Sequence, residues 1–291
     1  MKQLSVLVFL VGTFACVSFA QPDAAKDHFP PKSETFQIPS HGSDLNALAY
    51  VAEGSGPHPV VVLLHGFPGN EKNLDLAQDI RRAGWDVLYF NYRGSWGSPG
   101  NFSFGNSIED VASAVAYLRQ PNTTKLLRLD PTRIVLIGHS MGGFMAVEAG
   151  AADPSIMAVG LISAADMPGR VPPTLSKDAE PAFIKPYAAN LAAEGMAPLA
   201  GCTPEGLVRE LIDNNARWRF SANVDGLKSR PVFVITSDDG LTKMADDFTS
   251  GLRKAGNTRV TALHLATDHA YSGKRLELSE AVGKWLGTVN K

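Results

Sequence analysis

Beyond its first twenty residues the chain alternates between two hydrophobic rhythms. Residues 60–64, 87–92, 134–137, 159–163, 232–236 and 260–265 are short aliphatic or aromatic runs with little polar alternation. Such runs are expected of strands buried on both faces of a parallel sheet. Between them, residues 74–83, 108–118, 141–151, 244–254 and 276–289 place apolar side chains three and four apart with charge on the flanks, which predicts helices. Strand and helix taking turns in this way predicts an α/β fold, a mostly parallel central sheet with helices on both faces. Near the start, residues 35–38 and 46–51 read as an antiparallel hairpin joined through Ser40-His41-Gly42-Ser43-Asp44.

One stretch departs from the rhythm. Residues 168–230 are rich in Pro and Ala, with helical patterns at 181–193 and 204–218 and no strand pattern. They predict a helical cap inserted into the sheet fold, leaving from the carboxyl edge of the strands where α/β folds bind ligands. The first twenty residues differ again. A positive Met1-Lys2, an apolar run over 4–17 and small residues in Ser18-Phe19-Ala20 predict a signal peptide over 1–20, cut after Ala20. The apolar run is shorter than the roughly 20 residues needed to cross a bilayer, so no stable membrane insertion is expected after cleavage. A lipid-anchored reading through Cys16 fits poorly, because Thr13 and Phe14 precede it. The expectation is a secreted or periplasmic protein with 21–291 as a single domain.

Composition narrows the partners. The 291 residues are 44% hydrophobic and 19% charged with a formal net charge of -2, which suits one domain with a substantial core and no basic surface for nucleic acid. A small molecule or a peptide is the expected partner. Removing the leader leaves Cys202 alone, so no internal disulfide can form and a buried apolar role is expected of it. No metal-binding pattern occurs; His264 and His269 lack a third ligand at suitable spacing. No cofactor is expected.

The chemistry concentrates at Gly138-His139-Ser140-Met141-Gly142-Gly143, directly after a strand pattern and running into a helix. That is the setting of the G-x-S-x-G nucleophile elbow, a strained turn that lifts a serine hydroxyl out of the sheet. A serine hydroxyl is a weak nucleophile, so a base must take its proton and a third group must orient the base. His269, in Thr267-Asp268-His269-Ala270-Tyr271 after the last strand pattern, fits the base. His139, beside the serine, is expected to point elsewhere in a local structural role. The acid is expected after residues 232–236, where Asp238 and Asp239 are adjacent; Asp239, just before Gly240-Leu241, is preferred, with Asp238 the alternative. Asp268 is expected to cap its loop. Oxyanion donors are expected from the backbone N–H of Met141 and, in His65-Gly66-Phe67-Pro68-Gly69, of Phe67.

From about residue 35 to 286 the chain resembles the α/β-hydrolase superfamily, on the strength of His65-Gly66-Phe67-Pro68-Gly69, Gly138-His139-Ser140-Met141-Gly142 and Asp268-His269 in that order. Asn91-Tyr92-Arg93-Gly94-Ser95-Trp96-Gly97-Ser98-Pro99-Gly100 is similar to the loop after the fourth strand in exported bacterial esterases and in acylaminoacyl-peptidase and dipeptidyl-peptidase relatives. The resemblance implies a bracing role for Arg93. These 291 residues leave no room for the propeller-type domain of the peptidases, so a carboxylesterase-like serine hydrolase is expected. An aminopeptidase or amidase, an acyltransferase with the same triad, and a non-catalytic binding protein on this scaffold are the alternatives. Phe183, Tyr187, Leu191 and Trp218 of the insertion are candidates to wall the acyl pocket.

Overall fold

The computed structural model describes residues 29–289; the leader expected over 1–20 lies outside the described residues. The chain enters as a hairpin of β1 (Lys32–Ser40) and β2 (Ser43–Val51). Its two-residue turn, His41-Gly42, has φ of 47° and 80°, the left-handed pair whose twist matches that of hairpin strands. Then follow β3 (His58–Leu64), α1 (Leu74–Arg82), β4 (Asp86–Phe90), α2 (Phe104–Leu118), α3 (Pro121–Leu127), β5 (Leu129–His139), α4 (Met141–Ala152) and β6 (Ala158–Ile162). The helical segment after β6 holds α5 (Glu180–Ala193), α6 (Pro204–Asp213), α7 (Asn215–Trp218) and α8 (Val224–Leu227). The chain closes with β7 (Val232–Thr236), α9 (Thr242–Lys254), β8 (Val260–His264) and α10 (Arg275–Val289).

The eight strands form one sheet in the order β1-β2-β4-β3-β5-β6-β7-β8. Pairing is antiparallel from β1 to β4 through β2 and parallel from there on. Residues of β3 and β5 alternate between the two faces. Val60, Val62, Leu64, Ile134 and Leu136 join the core under α2, α4 and the cap. Val61, Leu63, Val135 and Ile137 join the core under α1 and α10. Both faces are apolar because both are covered, which is why these strands read as unbroken hydrophobic runs.

Helix α4 is buried from Met141 to Gly150, lying between the sheet and the capping helices. It therefore has no polar face to show solvent. Hydrogen bonds tie the cap to the body at several places, two of them close to α2. The Glu210 carboxylate of α6 accepts from the Phe104 and Gly105 amides, both at 2.9 Å, satisfying unpaired N–H groups at the start of α2. The Ala200 amide donates to the Gly94 carbonyl at 2.7 Å, and the Phe102 amide to the Ala200 carbonyl at 2.8 Å.

Several expectations need correction. The strand pattern at 260–265 was expected to be buried, yet β8 is the sheet edge and Thr261 to His264 are exposed. A hydrophobic run reports β propensity, not how many neighbours the strand acquires. The helical pattern at 204–218 is interrupted at Asn214, which separates α6 from α7. Cys202 is only partly buried. Helix α3 had no counterpart in the sequence reading. No helix among the described residues is long and apolar enough to cross a membrane.

Candidate active site

The turn from β5 into α4 is dictated by close packing. Ser140 sits between them at φ 56°, ψ −122°, a region costly for any residue with a Cβ. A Cβ on Gly138 would lie 1.9 Å from the Gly142 carbonyl oxygen, and one on Gly142 would lie 2.1 Å from that of Leu64. Side chains at these positions would drive helix and strand apart. The strained serine is held by its surroundings: its amide donates to the Ile162 carbonyl, and its carbonyl accepts from Gly143 and Ala165, each at 3.0 Å.

His269 and Asp239 arrive from the loops after β8 and β7. The Nδ1–H of His269 donates to Asp239 Oδ2 at 2.7 Å, and the Asp239 side chain is only 4% exposed. The Leu241 amide donates to its other oxygen at 2.9 Å. Burial opposes ionisation of Asp239. The hydrogen bonds from His269, the Leu241 amide and the nearby Ser163 and Ser237 hydroxyls outweigh it and hold the carboxyl far below the usual carboxylate range. With Nδ1 committed as donor, His269 keeps Nε2 as the nitrogen able to accept a proton. Ser140, Asp239, His269 and Phe67 line one cavity of about 370 Å³. Among the described residues the Ser140 hydroxyl has no hydrogen-bond partner; His269 bonds instead to Asp239 and, through its carbonyl, to the His139 ring.

The neighbouring candidates go elsewhere. Asp238 is exposed and faces His264 Nε2 at 3.1 Å, outside the cavity. Asp268 is exposed and accepts from the Ser272 amide at 2.7 Å. Arg93 donates to Asp110, Glu109 and the Asn106 carbonyl, bracing the loop after β4 against α2.

His139 does not point away from the site. Its Nε2–H donates to the His269 carbonyl at 2.9 Å, and the two rings lie 4.7 Å apart. Burial first, then the neighbouring His269 charge, pulls its pKa down to about 4, so it is neutral under His269. A hydroxyl cluster below the acid was also missed. Ser163 Oγ lies 2.8 Å from Ser237 Oγ and 3.0 Å from the Tyr271 hydroxyl, which donates to the Ile235 carbonyl. In sequence the only hint was a Tyr two residues after His269.

The loop after β3 runs past the serine. A Cβ on Gly66 would lie 2.9 Å from that of Ser140. The His65 ring is buried and neutral, its Nδ1–H donating to the Gly66 carbonyl, while its own carbonyl accepts from the Tyr92 hydroxyl at 3.2 Å. Among the described residues no loop or turn carbonyl engages the amides of Phe67 and Met141. Met141 is the first residue of α4, where N–H groups have no partner within the helix. Of the four expected wall residues, Tyr187 and Leu191 line the cavity. Phe183 packs on Tyr187 and Trp218 on Phe144 instead.

The family model described as the alpha/beta hydrolase family matches residues 61–277. The chain belongs to this family. Among solved structures it is similar to Est1E of Butyrivibrio proteoclasticus with ferulic acid bound, 19% identical with a TM-score of 0.64, covering 88% of this chain and 100% of that one. An esterase of Pyrobaculum calidifontis is similar at 20% identity and a TM-score of 0.63, covering 89% and 84%. The sn-1-specific diacylglycerol lipase ABHD11 of Xenopus tropicalis is 31% identical over 121 residues, 40% of this chain and 35% of that protein. The chain spans well under half the length of the curated relatives it matches.

Proposed function

We propose that the chain is a serine esterase that cleaves carboxylic esters through an acyl-enzyme. The observation that carries this reading is the convergence on one cavity of a strained serine and a histidine whose far nitrogen is held by a buried, ionised aspartate. In this mechanism Ser140 Oγ attacks the ester carbonyl and its proton passes to His269 Nε2. Asp239 fixes the imidazole and stabilises the imidazolium. The amides of Met141 and Phe67 receive the negative oxygen of the tetrahedral intermediate. As the carbonyl re-forms, the C–O bond to the alcohol breaks and His269 returns the proton to the leaving oxygen. Water, deprotonated by His269, then attacks the acyl-enzyme, and Ser140 leaves with the proton. The sequence reading of a leader cut after Ala20 supports an exported enzyme.

The test is labelling with a fluorophosphonate probe, with p-nitrophenyl acetate hydrolysis measured alongside. Wild type is expected to label and turn over, and Ser140→Ala to do neither. Folded wild-type protein that does neither ends this reading. Faster cleavage of a matched p-nitroanilide than of the ester would replace the esterase by an amidase.

A further inference from the structure

The cavity over Ser140 is not a plain hydrocarbon slot. Its cap-side wall is one face of α5, with Tyr187, Asn190, Leu191 and Glu194 at helical spacing, so buried apolar positions alternate with exposed polar ones. The opposite wall follows β6, where Ala165, Asp166 and Met167 run past the elbow. The Ala165 amide is bonded to the Ser140 carbonyl at 3.0 Å, which places the next residue, Asp166, beside the nucleophile by covalent geometry.

Asp166 is only partly satisfied where it stands. Its Oδ2 accepts a long bond, 3.4 Å, from the Phe220 amide, with the Gly169 amide also favouring its charge, but its buried Oδ1 has no partner among the described residues. It forms no ion pair among the described residues: Arg219, whose charge acts on it, donates to the Val171 carbonyl instead, and Arg170 lines the same cavity without pairing with it. Burial pushes the Asp166 carboxyl up to about 6, as expected of an acid short of donors. The side chain stands between the main cavity and a smaller hollow of about 220 Å³, lining both together with Met244. Rotation about the soft Cβ–carboxyl torsion would turn Oδ1 to the cavity surface. An acceptor kept buried without its donor is the arrangement that rewards a ligand bringing one.

We propose that Asp166 is the specificity-determining residue of this cleft, accepting a hydrogen bond from a hydroxyl or ammonium group on the substrate, so that donor-bearing esters are preferred over plain alkyl esters. This rests on the esterase reading above. A site built around a substrate donor discriminates strongly against the analogue that lacks it, because the buried acceptor is left unpaired.

The experiment measures kcat/KM on two matched series with wild type, Asp166→Ala and Asp166→Asn. In the first the acyl group varies, as the p-nitrophenyl esters of hexanoate, 6-hydroxyhexanoate and 6-ammoniohexanoate. In the second the alcohol varies, as the ethyl, 2-hydroxyethyl and 2-ammonioethyl esters of one acid, followed by acid release. In at least one series wild type is expected to prefer a donor-bearing ester by about tenfold or more. That ratio is expected to fall towards 1 in Asp166→Ala, with Asp166→Asn between. Which arm carries the preference identifies the hydroxyl or the ammonium as the donor. Fluorophosphonate labelling of each variant checks that the nucleophile is still assembled, and a merely structural role would lower all esters together without moving the ratio. Equal rates across both wild-type series, or a preference that persists in Asp166→Ala, overturn the proposal. Wild type that neither labels nor hydrolyses any ester removes the esterase reading, and this proposal with it.

Discussion

Two aspartate–histidine pairs lie within a few residues of each other at the carboxyl edge of the sheet, and they are built to different standards. In one, Asp238 and His264 meet at 3.1 Å with side chains 64% and 45% exposed. In the other, Asp239 and His269 meet at 2.7 Å with the carboxylate 4% exposed. In sequence the two pairs are hard to tell apart, as adjacent acids and histidines five residues apart, and the preference for Asp239 and His269 rests on loop position alone. What separates them is what each acid rests on. Asp238 looks into water, where a charge pair is screened and contributes little. Asp239 takes hydrogen bonds from the Ser163 and Ser237 hydroxyls, which Tyr271 joins through Ser163, and the Leu241 amide sits on its second oxygen. A buried carboxylate surrounded by donors stays ionised and stays in place, and so does the imidazole bonded to it.

The contrast can be broken most forcefully by exchanging roles. Asp239→Asn is expected to lower kcat on a p-nitrophenyl ester by roughly 10⁴-fold, the size of effect seen when a triad acid is neutralised, while Asp238→Asn stays within about twofold. Equal losses in the two variants would mean that burial does not distinguish the pairs. Next in size is the floor beneath the inner pair. His139→Phe keeps an aromatic ring but removes the hydrogen bond to the His269 carbonyl, and a displaced base is expected to cost roughly tenfold in kcat with KM little changed. A pure loss of stability, seen as a lower melting temperature with unchanged kcat, would assign His139 to packing alone.

Burial with a single donor sharpens the comparison further. Glu148 on α4 is buried and has one side-chain bond, from Asn223 at 2.6 Å; burial pushes its carboxyl up to about 8. The two buried acids therefore give opposite pH slopes. Asp239, depressed in the folded state, contributes stability that is present above about pH 4 and lost as pH falls below it. Glu148, raised in the folded state, contributes stability present below about pH 4 and lost progressively as pH rises towards 8. Thermal melts of Glu148→Gln are expected to lie a few degrees above wild type at pH 9 and to converge with it at pH 5. A difference that does not depend on pH would mean that Glu148 is ionised at neutral pH. The smallest effect is expected at the outer pair, where His264→Gln should change activity and melting temperature by little more than experimental error.

Much of the fold was legible in the chain. The buried strands 60–64, 134–137 and 232–236 have covered faces on both sides, so their hydrophobicity is unbroken; the first and last match the observed strands within two residues, while β5 starts five residues earlier, at Leu129, where the chain is more polar. Residues 260–265 look the same but form the exposed edge strand, because a local pattern cannot count neighbours. Ser140 was legible for a related reason. Its turn requires Gly at 138 and 142 by steric exclusion, and a requirement for no side chain is written directly into the residue types.

The sequence by itself determined the alternation of strands and helices, the elbow and its serine, and the region in which an acid and a base had to be sought. Only the tertiary structure decided which aspartate meets which histidine, that His139 lies under His269 and that Asp166 faces the cleft. The physical reason is range. Sterics and hydrophobic periodicity act between residues near in sequence and leave their mark on residue type. Hydrogen bonding and desolvation at the site act between residues as much as 130 positions apart, as in His139 and His269, and appear only once the sheet has brought them together.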